Sequence, residues 1–270
     1  MAVAFGAPLL ENKEGWKSCA DAIAMMTLRP FLIALQFLTR LPVPSLPDVK
    51  DRHVGYSLLF YPLVGLIIGA VLAALHWLLT GTPAMLTAAL LLVTWILITG
   101  GLHLDGLADS ADAWVGGLGN RERTLAIMKD PCCGPMGVVA LVAVLIVKFA
   151  ALATLVTTGD WIALLIAPVL ARTALPALFV TTPYVRANGL GTSIVAHLPR
   201  PGAIAVVGVV LLAIPLFTGL HGLWMLASGI VVFATLRMMM IKRIGGTTGD
   251  TAGALVELLE TTVLVVASVT

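Results

Sequence analysis

The chain has 270 residues, of which 59% are hydrophobic and only 11% charged, and its net charge is +2. Soluble globular proteins carry roughly 25% charged residues, so this composition excludes an ordinary solvated surface and suits a chain whose solvent is mostly lipid. A charge this small, without a block of like charges or a low-complexity tract, gives no ground for nucleic-acid binding and leaves one membrane domain as the economical organisation.

Residues 1–27 mix Glu11, Lys13, Glu14, Lys17 and Asp21 with small residues and are read as a flexible extension. The run from Ala2 to Leu10 is short, contains Pro8 and lacks a basic flank, so it does not read as a convincing signal peptide. Segment 28–41, LRPFLIALQFLTRL, is too short to cross a bilayer, is flanked by Arg29 and Arg40, and runs into LPVPSLP. It predicts an interfacial or re-entrant helix stopped by prolines.

Spanning helices need about 20 largely apolar residues. The stretches 57–79, 84–100, 136–157, 161–182, 203–218, 223–240 and 252–269 qualify, and the short ones leave the count at six or seven. The fold expected is therefore an all-α, polytopic transmembrane bundle. The connections at 42–56, 101–135, 183–202 and 241–251 hold Lys50, Arg52, Arg121, Arg123, Lys129, Arg186, Arg200, Lys242 and Arg243, whereas those at 80–83, 158–160 and 219–222 hold no Lys or Arg. The positive-inside rule then places the basic loops in the cytoplasm.

The 101–135 loop carries Asp105, Asp109 and Asp112 at i, i+4, i+7, within about 60° of arc on a helix. Three carboxylates on one face repel each other unless a cation lies among them. Hard oxygens suit Mg²⁺, which commonly takes one or two carboxylates plus substrate phosphates. His103 precedes this face and could be a general base, a phosphate ligand or an interface cap. The bland alternative, a solvated acidic helix face, is weakened by Gly116, Gly117 and Gly119 and by Arg121, Arg123 and Lys129, a glycine turn and basic cluster suited to phosphate.

A second constellation, KRIGGTTGDTAGALVELLE at 242–260, joins Gly245, Gly246, Thr248 and Gly249 to Asp250 at a helix start. Asp250 and Glu257 fall near one helix face, with Glu260 further round, and the two glutamates lie in or at the edge of the last span, where ionisable groups are expensive. A helix cap with interfacial acids is the bland reading. Lys148 and Arg172 sit mid-span and either pair with Glu257 or Glu260 or reach an anionic substrate. His53, His76, His197 and His221 are read as interface or packing residues, and Met238–Met240 as lipid-facing or core. Cys19, Cys132 and Cys133 have neither disulfide nor metal spacing and imply a reducing compartment for the loop holding two of them.

FLTRLPVP at 37–44, YPLVGLIIG at 61–69, GGLHLDGLADSADAW at 100–114, IMKDPCCGPMGVVAL at 127–141 and GGTTGDTAGALVELLE at 245–260 together resemble the cobalamin synthase family. The resemblance covers residues 28–270, which it implies form one integral membrane transferase domain in the bacterial cytoplasmic membrane. The first 27 residues lie outside the pattern, and Cys132–Cys133 depart from it. The implied reaction joins adenosylcobinamide-GDP to α-ribazole, or its 5′-phosphate, with release of GMP and with Mg²⁺ as cofactor. Asp105, Asp109 and Asp112, with Asp250, would hold the metal. Arg121, Arg123, Lys129 and Asp130, with Gly246, Thr248 and Gly249 and the intramembrane Lys148, Arg172 and Glu257, would bind substrate. Asp112, Asp109 or His103 would take the hydroxyl proton. Lipid is a partner, and a homo-oligomer or contact with other vitamin B12 assembly enzymes is compatible with the pattern. CDP-alcohol phosphotransferases are similar in kind but use a fuller aspartate spacing. A secondary transporter is the rival class, for which intramembrane Lys148, Arg172 and Glu257 would serve, but no internal repeat is present. A structural scaffold would leave the aspartate spacing unexplained.

Overall fold

A computed structural model describes residues 28–44, 46, 47, 49–186 and 190–270. The proposed N-terminal extension, with Cys19, falls outside them. All regular structure among the described residues is helical. In chain order the helices are α1 (Leu28–Leu38), α2 (Asp51–Ser57), α3 (Tyr61–Leu78), α4 (Ala84–Thr99), α5 (Leu102–Gly116), α6 (Arg121–Ile127), α7 (Pro135–Thr158), α8 (Ile162–Thr181), α9 (Leu190–Ala196), α10 (Arg200–Ile244) and α11 (Gly249–Val269). A single 3₁₀ turn over Leu58–Phe60 fuses α2 to α3.

Five helices are long and apolar enough to cross a bilayer, and counting the bent pair α4–α5 as one span makes six. One correction to the sequence expectation follows. The expected span at 84–100 ends at Thr99, and its 16 residues measure about 24 Å, short of the roughly 30 Å hydrocarbon core. Gly100 and Gly101 both take left-handed backbone (φ 64° and 70°), and α5 leaves at 88° to α4. α5 thus leaves the direction of α4, as in a broken span or a re-entrant pair.

The expected spans 203–218 and 223–240 are the two limbs of one 45-residue helical run. Forty-five residues would measure about 68 Å if straight, more than twice the hydrocarbon thickness. The run is broken at Gly219 alone (φ 61°, ψ −140°), a backbone that glycine tolerates. It folds back there: a methyl at Gly222 would lie 3.2 Å from the Ile214 side chain, eight residues away, where a straight helix would separate them by about 12 Å. Val207 and Leu211 also line one crevice with Leu226 and Phe233. Counted as two limbs, α10 contributes two crossings.

The core is built on close helix approach. Methyls at Gly65 and Gly69 of α3 would collide with the Pro168 and Leu164 carbonyls of α8, the kind of small-residue packing that substitutes for a hydrophobic drive in lipid. α8 and α11 form the centre, with Leu170, Leu178, Leu255, Leu259 and Val263 buried, while α10 turns Leu212, Leu216 and Phe217 outward as a lipid-facing surface would.

The two ends of the bundle differ. At one, Arg121 Nε donates to the Ile244 carbonyl (2.8 Å), Arg243 donates to the Trp114 carbonyl, and Gly55 lies against His197. At the other, His221 Nε2 meets Asp160 (2.9 Å) and Nδ1 meets the Thr270 hydroxyl (3.0 Å). The basic connections gather at the first end.

Candidate active site

Both acidic motifs are carried by helices that meet at the basic end. α5 and α11 cross so tightly that a methyl at Gly106 would stand 2.7 Å from the Asp250 carbonyl, and one at Gly253 would stand 3.3 Å from the His103 backbone. Glycine at these two positions lets residues about 145 apart in sequence face one space. Asp105 and Asp250 line the same cavity of about 400 Å³. Asp105 also lines a second cavity of about 520 Å³, with Asp109 and Arg40. Asp105 therefore stands between two spaces.

The triad is helical, but its three carboxylates do not all face one space. Asp105 and Asp109 face the second cavity. Asp112 turns instead to the start of α7, where its two oxygens accept the Gly134 N–H (2.7 Å) and the Gly137 N–H (2.9 Å). Those donors are orphans of a helix N-terminus, so Asp112 caps α7 from a neighbouring helix. Among the described residues, no three His, Cys, Asp or Glu side chains lie close enough to form a ready-made metal cage. The Asp109 carboxyl is pushed up to about 6, first by burial and then by the charges of Asp105, Asp250 and Asp112, with Arg186 opposing.

The second motif is held by a short backbone exchange. Thr247 N–H donates to the Pro183 carbonyl (2.8 Å), Val185 N–H donates to the Thr247 carbonyl (2.9 Å), and Gly246 admits no methyl because Pro183 occupies that space. The Thr248 hydroxyl accepts from Thr251 N–H, the Thr251 hydroxyl accepts from Thr248 N–H, and the reciprocal pair caps α11. This exchange fixes the 183–186 segment beside the α11 start, so the Arg186 guanidinium donates to Asp250 (3.0 Å). Gly249 lines the first cavity, whereas Gly246 and Thr248 support it from behind.

The remaining predicted substrate contacts lie elsewhere. Lys148 donates to Glu257 (2.7 Å) and Glu260 (2.5 Å), Arg172 pairs with Glu260, and all four side chains are buried. Lys148 also sits 4.7 Å above the Trp95 ring. None of the four lines either cavity. Of the two readings open from sequence, ion pairing is the arrangement observed. Arg121 is occupied by the end of α10, Asp130 by the Cys132 N–H (3.0 Å), and Arg123 and Lys129 are exposed. None of these lines either cavity.

His103 is buried and lines the first cavity, with no hydrogen-bond partner for its Nδ1. Burial first, then the charges of Arg172 and Lys148, hold the imidazole well below its usual range, so it is neutral at pH 7. The other walls are aromatic. Phe37 stacks on Tyr61 (centroids 6.4 Å apart) and Phe179 meets Tyr184 edge-on (6.3 Å). Sequence reading passes over Phe37, Arg40, Tyr61, Tyr184 and Arg186. Phe37, Arg40 and Tyr61 fall inside the blocks FLTRLPVP and YPLVGLIIG, which was the available signal. Arg186 had none, since its partner Asp250 lies 64 residues away with no linking pattern.

The sequence profile of the family described as Cobalamin-5-phosphate synthase matches residues 30–268. A Pseudomonas fluorescens protein named adenosylcobinamide-GDP ribazoletransferase is 56% identical over 237 residues, 87% of this chain and 97% of the relative. Proteins of the same name from Pseudomonas putida (58% identical, 87% and 96% covered) and Pseudomonas aeruginosa (56%, 88% and 97%) are similar to the chain along the same length. No solved structure matches it. With the profile spanning both acidic motifs and the helices that bring them together, the chain belongs to the cobalamin-5-phosphate synthase family.

Proposed function

We propose that this protein is an adenosylcobinamide-GDP ribazoletransferase of the bacterial cytoplasmic membrane, with its active site at the basic, cytoplasmic end of the bundle. The relatives' shared name and near-complete coverage supply the reaction. The observation that carries the site is Asp105, shared by two cavities and faced by Asp109 on one side and Asp250 on the other.

The ribose hydroxyl of α-ribazole, or of its 5′-phosphate, attacks the cobinamide-side phosphorus of adenosylcobinamide-GDP. The new P–O bond forms as the bond to the GMP oxygen breaks, GMP leaves with that electron pair, and the hydroxyl proton passes to a base or to water. Little covalent chemistry falls to the protein; positioning and charge neutralisation carry the rate. Asp105, Asp109 and Asp250 are hard oxygen donors, the charges of Asp105 and Asp250 add to the burial that raises the proton affinity of Asp109, and a Mg²⁺ ion needs only one or two of the three plus the diphosphate. This fits a site whose ligand shell is completed by substrate and is therefore no preformed cage. When bound, the ion neutralises charge on the diphosphate and leaving group. Asp112 is the positioning residue of the set, because both its oxygens hold α7. Arg40 and Arg186 replace Arg121, Arg123 and Lys129 as the cations nearest the substrate. Asp109, partly protonated near neutrality, and neutral His103 are the candidate proton acceptors.

The buried charges argue against a transporter, because Lys148 and Arg172 are matched to Glu257 and Glu260 and line neither cavity beside Asp105. The test is GMP release by purified protein in detergent, given both substrates with and without Mg²⁺. Metal-dependent, stoichiometric GMP and corrinoid product are expected; no release under any metal condition sinks the proposal.

A further inference from the structure

Two substrates must meet at Asp105, and the two cavities beside it are chemically unlike. The first, about 400 Å³, is walled largely by apolar groups and by two aromatic pairs, with Asp105, Arg186, Asp250 and His103 as its polar points. Pockets of about 300–1,000 Å³ hold drug-sized ligands, so this space suits one nucleoside. The other, about 520 Å³, is more open and nearly half polar. Its cation is Arg40, whose backbone is tied to Ile98 and whose side chain lies against Gly100. Arg40 has no carboxylate within salt-bridge distance among the described residues. An unpaired guanidinium beside two carboxylates is suited to a diphosphate, whose oxygens it can grip in a fork.

Resting on the transferase reading above, we propose that Asp105 separates the two substrates: the first, aromatic cavity takes the flat base and ribose of the ribazole, and Arg40 in the open cavity takes the diphosphate of the corrinoid donor. The bulk of the donor then stays outside, where the second cavity opens. The unpartnered His103 Nδ1 and the Arg186–Asp250 pair supply the polar groups that a ribose needs in an otherwise apolar pocket. Tyr184 is seated by its packing on Phe179 and by Gly191, where a methyl would strike its ring at 2.4 Å.

The test is steady-state kinetics on the purified full chain, varying one substrate at a time, alongside equilibrium dialysis of α-ribazole with EDTA and no donor. Base–aromatic contacts of this kind are worth roughly 1–3 kcal/mol each. Tyr184→Leu is therefore expected to raise the KM for α-ribazole at least about fivefold, with the KM for adenosylcobinamide-GDP within about twofold. Arg40→Gln should do the reverse. Tyr184→Phe, which keeps the ring, should recover most of the α-ribazole KM that the leucine variant loses, which separates loss of the ring from misfolding. A donor-side effect from Tyr184→Leu, or equal rises in both constants, overturns the assignment. So does failure of the wild-type protein to bind α-ribazole in dialysis. Absence of GMP release by wild-type protein counts against the transferase reading instead, since the dialysis still reads the pocket without turnover.

Discussion

The molecule holds two clusters of ionised side chains, and they are built on opposite principles. In the interior, Lys148 and Arg172 meet Glu257 and Glu260 in a closed set of two cations and two carboxylates, buried and lining neither of the two cavities beside Asp105. At the basic end, Asp105, Asp109 and Asp250 share one paired cation, Arg186, and open on two cavities. Charge that is balanced and sealed is consumed by the fold. Charge that is left in surplus beside empty space is available to a ligand, because the protein tolerates repulsion there that a bound cation would relieve. α11 supplies both clusters, Asp250 at its first turn and the glutamates two and three turns further along.

The sharpest way to break this contrast is to unbalance the inner cluster. Arg172→Met leaves Glu260 short of a partner in a water-poor interior, and removing one member of a buried pair typically costs about 3–5 kcal/mol. A large fall in thermal midpoint in detergent is expected. The double variant Arg172→Met/Glu260→Leu removes charge of both signs and should recover most of the loss while keeping turnover. A double variant that folds but no longer turns over would show that the inner cluster belongs to the site after all.

Within the outer cluster, Asp105 and Asp112 separate chemistry from architecture. Asp105→Asn keeps volume and removes charge where both substrates meet, so turnover should drop on the order of 100-fold or more, about 2.7 kcal/mol of barrier, with expression unchanged. Asp112→Ala strips the start of α7 of its acceptor and should cost about 1–2 kcal/mol of stability, as cap removals do. Its remaining activity should show an unchanged Mg²⁺ requirement, measured by titrating the metal. A raised requirement for Asp112→Ala would place Asp112 among the ligands.

The spans, the basic end and the presence of two acidic motifs were legible in the sequence because each is a local pattern: apolar runs, loop charge, and i, i+4, i+7 spacing. Such spacing says which carboxylates share a helix face and nothing about where that face is aimed. Asp112 was therefore grouped with Asp109, although a second helix claims it through Gly134 and Gly137. Arg186 was missed for the same reason in reverse, since only the Pro183–Thr247 backbone exchange brings it to Asp250. The break at Gly219 shows the limit of hydropathy: it detected two apolar runs correctly and placed a four-residue connection where one glycine suffices.

The smallest expected effect isolates the surplus charge itself. Asp109 has its carboxyl pushed up to about 6 from an ordinary 3.8, so the metal-free folded protein holds that proton more tightly than the unfolded chain does. For a raised acid the penalty is fully present above about pH 6 and fades as pH falls through 6 toward 3.8, and metal-free protein should therefore melt higher at pH 5 than at pH 7.5. Asp109→Asn should flatten that dependence and raise the midpoint at pH 7.5 on the order of 2 °C, the shift that about 1 kcal/mol gives a chain of this size, while lowering turnover. Saturating Mg²⁺ should abolish the acid stabilisation in the wild type, because the ion replaces the proton as the neutralising charge. Thermal scans in EDTA and in Mg²⁺ at both pH values measure it. If the metal-free protein instead lost stability on acidification to pH 5, Asp109 would be gaining from its surroundings, and the surplus that distinguishes the outer cluster from the inner one would not exist.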